Sequence, residues 1–328
     1  MILLTPNEID QVYSMRDAIE ANKTAFRLMT QGKVVTPLRS NIDVPEYDAV
    51  FQLMPSYCEE IGMSAVKLVN TFPQNLKAGL PSIPAQVLLM DGKNGQFLAL
   101  MDGTHVTRVR TGAASGAAFD LLAKKEVSKG ALIGTGGQGE KQLEAMITAR
   151  KLECVYIYSN DTEGKEVFVA EMREKLAHYG VEFISASSSE EAIEDADLIT
   201  TVTTARQPVF DADKVKAGAT ISCIGSFRYE MQEIDPRIFS RTSKIFFDSQ
   251  EAVLSESGDF IKPLEQGILT AEDLNGDIGR VVDGTTAGRE NDDEIIIFKS
   301  VGVGAMDLMA AKSIYDGALK NHIGTTWG

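Results

Sequence analysis

The sequence is poor in the residues that build metal centres and disulfide frameworks, with three cysteines and three histidines among 328 residues. Cys58, Cys154 and Cys223 are scattered without a C-x-x-C pair, and no histidine has a cysteine or carboxylate at ligand spacing. We therefore expect no metal site and no disulfide, as is typical of a protein of the reducing cytoplasm. The sequence also lacks a G-x-S-x-G nucleophile elbow, which argues against an α/β-hydrolase.

Basic residues are in the minority, because 32 lysines and arginines stand against 47 aspartates and glutamates and leave a net charge of −15. This charge disfavours nucleic acid and anionic membrane surfaces as partners. No apolar run approaches the roughly 20 residues that a transmembrane helix needs. The segment Met1–Pro6 lacks the basic start of a signal peptide, so none is expected. The length is sufficient for two domains.

What the sequence does contain is a glycine-rich turn. Gly134, Gly136 and Gly139 give the pattern G-x-G-x-x-G, directly after the apolar run Ala131–Ile133 and before a segment with helical periodicity. Such a turn seats the pyrophosphate of a dinucleotide, because glycines allow close backbone approach and the helix N-terminus offers free N–H groups. The motif predicts a dinucleotide site, although glycine-rich loops also close ordinary turns.

Strand-like and helix-like segments alternate after this turn. The apolar strand Val155–Tyr158 ends in Ser159, Asn160 and Asp161, roughly 20 residues past the glycines, where such folds contact the adenosine ribose. Further predicted strands are Glu182–Ile184, Leu198–Val202, Thr220–Ile224 and Lys244–Asp248. This alternation predicts an α/β fold with a Rossmann-type, doubly wound parallel sheet.

The glycine turn begins only at residue 134, so a separate domain precedes it. That segment combines a helix over Met15–Thr30, capped by Ser14, with strands and a hairpin whose turn is Asp91–Gly95. A terminal strand over Glu294–Ser300 and a helix from Gly304 are expected to pack back onto it. We therefore predict a discontinuous α+β substrate domain, residues 1–117 and 299–328, around a dinucleotide-binding domain of residues 118–298, with a substrate cleft between them.

Three cations of the leading domain are candidates for function. Lys67 lies inside the apolar strand Ser64–Val69, so its ammonium either snorkels outward or is buried against an anion. Arg39 follows a turn-like stretch, and Arg110 opens a segment rich in small residues. Two interpretations stay open: an edge-strand lysine with salt-bridged surface arginines, or a convergent set that clamps a substrate carboxylate. An amino or oxo acid substrate would require such a clamp.

Short segments in a characteristic order and spacing run through the chain: Val34–Arg39, Met54–Pro55, Lys67–Val69, Val87–Met90, Met101–Gly103, Arg110–Ser115, Ile133–Gln138, Thr201–Thr203, Ile224–Ser226, Glu233–Asp235 and Phe298–Gly302. On these segments the chain resembles the ornithine cyclodeaminase/mu-crystallin family over nearly its whole length.

The resemblance implies an enzyme with a nicotinamide cofactor, and a homodimer formed through the sheet of the leading domain. Family members include ornithine and lysine cyclodeaminases, ketimine reductases, alanine dehydrogenases and Δ1-pyrroline-2-carboxylate reductases. By resemblance, Arg39, Lys67 and Arg110 are the catalytic residues and hold the substrate carboxylate. The cofactor contacts that it implies are Ser82, Thr111, Gly134, Gly136, Gly137, Gln138, Ser159, Asn160, Asp161, Thr201, Val202, Thr203, Ser226, Ser300 and Val301.

One position departs from the cyclodeaminase members, which carry an aspartate directly after the glycine that closes the strand corresponding to residues 220–225. That carboxylate handles the δ-amino group during ring closure, whereas this chain has Ser226, as mu-crystallin has serine. A serine does not act as a general base near neutral pH without help. The departure favours reversible hydride transfer between the nicotinamide and an imino or amino acid. Arg228 is either a surface residue or a contact for a second acidic group of the substrate.

The identity of the cofactor and the presence of turnover both stay open. NAD-using relatives often place an aspartate at the position of Ser159, and NADP-using relatives often have an arginine next to it; this chain has neither. Because Asp161 would repel a 2′-phosphate, the sequence favours NAD over NADP. A cofactor-binding protein without turnover is the alternative to an enzyme, although the intact set Arg39, Lys67 and Arg110 argues against it.

Overall fold

The protein is described by a computed structural model that covers the backbone of residues 1–328 and the side chains of residues 1–75 and 77–328. The chain divides into two compact units. Unit 1 comprises Met1–Arg110 and Val303–Gly328, and unit 2 comprises Thr111–Gly302. These divisions lie a few residues from those expected at 117 and 298, and the first falls inside a helix. The functions assigned to the two domains remain predictions.

The elements up to the first division are, in chain order, β1 (Ile2–Leu4), α1 (Pro6–Asp10), α2 (Met15–Thr30), β2 (Val34–Val35), β3 (Ser40–Val44), β4 (Ala49–Cys58), β5 (Met63–Thr71), β6 (Ala85–Asp91), β7 (Phe97–Asp102) and α3 (Gly103–Leu122). The following elements are β8 (Lys129–Ile133), α4 (Gly139–Ala149), β9 (Cys154–Tyr158), α5 (Thr162–Lys175), β10 (Glu182–Ser185), α6 (Ser189–Ile193), β11 (Leu198–Thr201), β12 (Thr220–Cys223), β13 (Lys244–Phe247), α7 (Gln250–Glu256), α8 (Gly258–Glu265), α9 (Gly279–Val282) and β14 (Ile296–Lys299). The chain ends with α10 (Gly304–Asn321) and β15 (Thr325–Thr326).

Unit 1 is built on a mixed sheet with the strand order β15-β1-β7-β6-β5-β4-β2, to which β3 adds by pairing with β4. Helix α10 packs on β5 and on α2. The helix predicted over Met15–Thr30 is confirmed at both ends, and the Ser14 hydroxyl accepts a hydrogen bond from the Asp17 amide at 3.2 Å. The hairpin predicted around Asp91–Gly95 is confirmed as the antiparallel pair β6–β7. An α+β architecture follows from these elements.

Unit 2 is built on a parallel sheet with the strand order β10-β9-β8-β11-β12-β14-β13. The predicted Rossmann-type sheet is confirmed. The order runs outward from β8 in one direction to β10 and in the other to β13, so the strand order reverses between β8 and β11. In open α/β sheets a ligand crevice forms at such a point, outside the carboxyl ends of the strands.

The expected position of the last strand was wrong. Strand β14 was expected to return to the leading domain, but it lies between β12 and β13 in the sheet of unit 2. Its residues are buried, as in the run Ile295–Phe298. A continuous apolar run of this kind suits a parallel strand covered on both faces.

Helix α3 was not predicted. Every residue from 109 to 119 is buried, and many of them are alanine or glycine. A helix that is covered on all sides shows no amphipathic period, so its sequence resembles a loop rich in small residues.

Among the helices of the described residues, none is long and apolar enough to cross a membrane.

A close approach of α3 and α4 within unit 2 generates a stability prediction. A Cβ at Gly112 would overlap the backbone carbonyl of Lys141, whereas a Cβ at Gly136 meets no heavy atom within 4 Å. In an uncrowded helix, Gly→Ala stabilises by about 1 kcal/mol. We expect the opposite sign for Gly112→Ala, a loss of about 1–3 kcal/mol from overpacking.

The measurement is the urea midpoint, with Gly136→Ala as the matched control. Gly136→Ala should stay within about 0.5 kcal/mol of the wild type. A stabilised Gly112→Ala protein would show that the two helices do not approach as described.

Candidate functional site

The predicted glycine turn joins β8 to α4 at the reversal of strand order. Gly134 has a φ of +112°, and a Cβ there would lie 2.8 Å from the carbonyl oxygen of Val202. A Cβ at Gly139 would lie 3.1 Å from the Gly134 carbonyl oxygen and 3.2 Å from the ring of Phe168. Tight packing and a positive φ therefore require glycine at position 134, whereas a Cβ at position 139 would need its neighbours to shift by a few tenths of an ångström. Gly136 instead faces open space.

That open space belongs to a cavity of 650 Å³ within unit 2. The cavity is lined by predicted cofactor residues from three strand ends: Gly134, Gly136, Ser159, Asn160, Val202 and Thr203. It lies where the strand order reverses, which is where doubly wound sheets bind dinucleotides. Because Gly136 carries no side chain and α4 begins three residues later, backbone N–H groups are available to a pyrophosphate.

A buried carboxylate that was not predicted as a site residue holds one wall of this cavity. Glu233 accepts hydrogen bonds from the Thr203 amide at 2.6 Å, the Thr203 hydroxyl at 2.8 Å and the Thr201 hydroxyl at 3.1 Å. It also accepts from the Gly225 amide at 2.6 Å. Glu233 therefore ties the end of β11 to the end of β12.

A second buried ion pair, Asp259 with Lys299, lies next to this carboxylate. The amide of Glu233 donates to Asp259 at 2.6 Å, and Asp259 pairs with Lys299 at 3.0 Å. Burial raises the pKa of Glu233, and the positive charge of Lys299 opposes that rise. Only its place in a family segment had singled out Glu233, because a lone glutamate carries no spacing signal.

Other predicted cofactor residues near these strand ends make contacts within unit 2. Asp161 caps α5, since its carboxylate accepts from the Gly164 amide at 3.0 Å. The buried Ser226 hydroxyl donates to the Met231 carbonyl at 3.1 Å and lies 3.0 Å from the Ser257 hydroxyl. The Ser300 hydroxyl donates to Asp248 at 2.6 Å. These contacts give each side chain a structural partner, and the cofactor roles stay predictions.

The remaining predicted cofactor residues are more dispersed. Gly137 and Gln138 lie in the turn that leads into α4. The Thr111 carbonyl accepts from the side chain of Gln142 at 3.1 Å, and Val301 packs against the core of unit 2. Ser82 belongs to unit 1, where its carbonyl accepts from the Phe72 amide at 2.8 Å.

A buried charge cluster lies in unit 1. Lys67 on β5 and Asp307 on α10 are each 1% exposed, and the Lys67 ammonium lies 2.8 and 2.9 Å from the two carboxylate oxygens. Arg110 on α3 donates from Nε to the same carboxylate at 3.1 Å. We refer to Lys67, Arg110 and Asp307 as the charge cluster.

The structure excludes the edge-strand interpretation of Lys67 and the surface interpretation of Arg110, and the clamp on a substrate carboxylate stays a prediction. Strand β5 pairs with both β4 and β6, so Lys67 is not an edge-strand residue, and its ammonium is buried against an anion. Arg110 is buried rather than a surface residue. Arg39 is half-buried and close enough to act electrostatically on Lys67.

Asp307 was missed by the sequence analysis. Its only signal is a carboxylate in the otherwise apolar start of α10, Gly304–Ala311, where a charged residue is expected only with a partner.

The electrostatics of the charge cluster favour a further anion. Burial and the neighbouring Arg110 lower the pKa of Lys67 to about 7, although Asp307 opposes that fall. Burial alone would raise the pKa of Asp307, but the positive charges of Lys67 and Arg110 outweigh that effect and lower it. When Lys67 is protonated, two cations share one carboxylate and a positive charge is left over. Arginine and lysine in such a setting bind carboxylates strongly.

The pKa of Lys67 generates a prediction about stability and pH. The folded protein releases this proton near pH 7, whereas an unfolded lysine keeps it to about 10.4. Between pH 7 and 9 the unfolded chain therefore binds more protons, so the free energy of unfolding rises with pH. Compared with Lys67→Met, the free energy of unfolding of the wild type should rise by up to about 1.4 kcal/mol for each pH unit in this range.

Urea unfolding at several pH values measures this difference, and Lys175→Met is the control because Lys175 is exposed on α5. Parallel stability curves for the wild type and Lys67→Met would contradict a titration of Lys67 near pH 7.

Comparison with known proteins identifies the family of the chain. A family model described as the ornithine cyclodeaminase/mu-crystallin family matches residues 1–322. The chain is 33% identical over 324 residues to a Δ1-pyrroline-2-carboxylate reductase of Bacillus cereus, covering 99% of this chain and 98% of the relative.

Solved structures extend the similarity to three dimensions. Thermococcus litoralis Δ1-pyrroline-2-carboxylate reductase in complex with NADH and L-proline has a TM-score of 0.94 and 37% identity, with 100% of both chains covered. An archaeal alanine dehydrogenase dimer with bound NAD has a TM-score of 0.91 and 32% identity, covering 100% of this chain and 99% of the other. The chain belongs to the ornithine cyclodeaminase/mu-crystallin family.

Proposed function

We propose that this protein is an NAD(P)-dependent oxidoreductase that reduces the C=N bond of a cyclic imino acid, Δ1-pyrroline-2-carboxylate, to give L-proline. The observation that carries the proposal is the charge cluster, a buried lysine and arginine that share one carboxylate and leave positive charge for a second. The similarity to Δ1-pyrroline-2-carboxylate reductases, at 33% and 37% identity, supports the choice of substrate.

The cavity of unit 2 fits a dinucleotide cofactor. Gly136 leaves room that a Cβ would fill, and Ser159 and Asn160 offer hydrogen-bonding groups where the ribose is contacted in such folds. Glu233 keeps the Thr201–Thr203 wall in place. When bound, the reduced nicotinamide supplies the hydride that is added to the imine carbon.

The charge cluster supplies the substrate contacts in this proposal. Arg110 and Arg39 hold the α-carboxylate, and their guanidinium groups can do so bidentately. Lys67, with a pKa of about 7, can hold a proton on Nζ and deliver it to the substrate nitrogen. Asp307 acts through the two cations, since it fixes their positions and keeps Lys67 protonated to a higher pH.

The same residues bear on two other activities found in the family, cyclodeamination and alanine dehydrogenation. Cyclodeamination requires a general base where this chain has Ser226, and the Ser226 hydroxyl donates to a carbonyl within a buried contact. Alanine dehydrogenation is the second candidate, because the same clamp fits any α-amino acid and the archaeal alanine dehydrogenase is 32% identical.

The test is an absorbance assay of NADH and NADPH oxidation with Δ1-pyrroline-2-carboxylate. We expect turnover by the wild type and a loss of about 100-fold or more for Lys67→Met, since it removes the proton donor. NADH binding by Lys67→Met, measured by fluorescence, should be unchanged because Lys67 belongs to unit 1. Lys175→Met should retain both properties.

Assays with pyruvate plus ammonia and with ornithine separate the alternatives. Oxidation of NADH with pyruvate and ammonia alone indicates an alanine dehydrogenase. Conversion of ornithine to proline and ammonia without net cofactor change indicates a cyclodeaminase. Silence with every substrate while NADH binds indicates a binding protein, and full turnover by Lys67→Met would refute the role of that lysine.

We further propose that the protein is a cytoplasmic homodimer formed through the sheet of unit 1. The outward face of β3, β4 and β5 exposes facing apolar pairs, Ile42 with Phe51 and Leu53 with Leu68. Contiguous exposed apolar surface of this kind marks protein–protein interfaces. The three unpaired cysteines support a reducing compartment.

Sedimentation velocity tests the dimer. Leu68→Glu, at a position 46% exposed on this face, should shift the protein to a monomer because it places a charge among apolar residues. Leu319→Glu, at a position 50% exposed on α10, should leave the dimer intact. A monomeric wild type, or equal behaviour of both variants, would exclude this interface.

A further inference from the structure

The fully buried side chain of Glu233 lies in a concavity of hydrogen-bond donors within unit 2. Its Oε1 atom accepts from the amide and the hydroxyl of Thr203, at 2.6 and 2.8 Å. Its Oε2 atom accepts from the Gly225 amide at 2.6 Å and from the Thr201 hydroxyl at 3.1 Å. Backbone amides that converge in this way form an anion-binding site. The chain therefore builds a site for a carboxylate and fills it with a side chain of its own.

The geometry of this anion site requires an acceptor at both oxygens of the side chain. A backbone amide only donates, and one lies 2.6 Å from each oxygen, that of Thr203 at Oε1 and that of Gly225 at Oε2. A carboxylate satisfies both amides, whereas a carboxamide would turn its NH2 group toward one of them. A buried donor that faces another donor is left without a partner, which is costly. The site therefore selects an anion over a neutral group of the same shape.

The anion site lies at the edge of the sheet where doubly wound folds bind ligands. Thr201 is the last residue of β11, and Gly225 follows the end of β12 by two residues. Glycine is needed at position 225, because a Cβ there would lie 2.6 Å from the carboxyl carbon of Glu233. Thr203 also lines the cavity of unit 2, so the anion site and the cavity share a wall.

The rest of this wall depends on the same short segment of the chain. Residues 202–209 line the cavity and have no helix or strand of their own. The Ala205 carbonyl accepts from the Gln232 amide at 2.9 Å, and the Val209 amide donates to the Glu233 carbonyl at 2.9 Å. An irregular segment keeps one shape only where such contacts hold it, so an empty anion site should loosen the wall.

We propose that Glu233 is a positioning residue that acts as a built-in anion, and that the cavity binds a dinucleotide well only while a carboxylate occupies the site formed by Thr201, Thr203 and Gly225. The proposal rests on the dinucleotide cavity of the proposed function and adds a site for a small carboxylate. The carboxylate need not be attached to the chain. Glu233→Ala removes a CH2–COO− group, which acetate matches in size and charge, so free acetate should restore cofactor binding to this variant.

The test measures the dissociation constant of NADH by fluorescence for the full-length wild type, Glu233→Gln and Glu233→Ala at constant ionic strength. Both substitutions should weaken NADH binding by about tenfold or more, since a charged hydrogen-bond acceptor is lost. Acetate at about 0.1 M should bring Glu233→Ala to within about threefold of the wild type and leave the wild type unchanged. Acetamide has the same shape without the charge and should restore nothing.

Glu294→Ala is the matched control. Glu294 is a buried carboxylate of the same unit that also accepts from amides, those of Glu290 at 2.8 Å and Asn291 at 3.4 Å. It precedes β14 and so lies at the opposite edge of the sheet from the cavity. Glu294→Ala should bind NADH as the wild type does, and acetate should not change that binding.

Urea unfolding tests the anion site without the cofactor. Acetate should raise the urea midpoint of Glu233→Ala but not that of the wild type, because a ligand that binds only the folded protein stabilises it. Acetamide should leave both midpoints unchanged. Where Glu233→Ala folds poorly, its refolding from urea in acetate and in acetamide gives the same comparison, and equal yields overturn the proposal.

Restoration of NADH binding by acetate alone supports the proposal. Wild-type affinity in Glu233→Gln, equal restoration by acetate and acetamide, or no response of Glu233→Ala to acetate overturns it. A wild type that does not bind NADH refutes the proposed function and the dependence of cofactor binding on the anion. The urea midpoints then decide separately whether the site takes a carboxylate.

Discussion

Two cations on one buried carboxylate are the constraint on which unit 1 depends. Lys67 and Arg110 are almost fully buried, and a buried charge without a partner destabilises a protein by several kcal/mol. Asp307 is the partner of both, and it arrives from α10, at the far end of the chain. Neither cation can remain buried unless α10 packs on β5, so the cluster and the discontinuous unit form together.

The same arrangement gives the charge cluster the excess positive charge and the lowered lysine pKa on which the proposed function relies. One carboxylate cannot neutralise two cations, and Arg39 adds to the positive potential at Lys67. This excess positive charge favours a further anion and is the basis of the proposed contact with a substrate carboxylate. Burial also lowers the pKa of Lys67 to about 7, which is the range in which a group can both donate and accept a proton in neutral solution.

In unit 2, buried charged side chains hold the backbone in position through hydrogen bonds. Glu233 accepts from two amides and two hydroxyls, and Asp259 and Lys299 lie behind it. These charges build the cavity wall and do not face into the cavity, whose lining is nearly neutral. In the proposed function, unit 1 presents charge to a ligand, whereas unit 2 uses charge to hold the shape of a nearly neutral surface.

The sequence by itself determined the Rossmann-type sheet, the helix Met15–Thr30 and the glycine turn, because each rests on local periodicity or on glycine spacing. It did not reveal α3, whose burial on all sides removes the helical period, or the place of β14 between β12 and β13. Only the tertiary structure decided that Asp307 joins Lys67 and Arg110, that Glu233 closes the cavity wall and that Asp161 caps a helix. These partners are brought together by packing between elements far apart in the chain, and no local pattern encodes such distances.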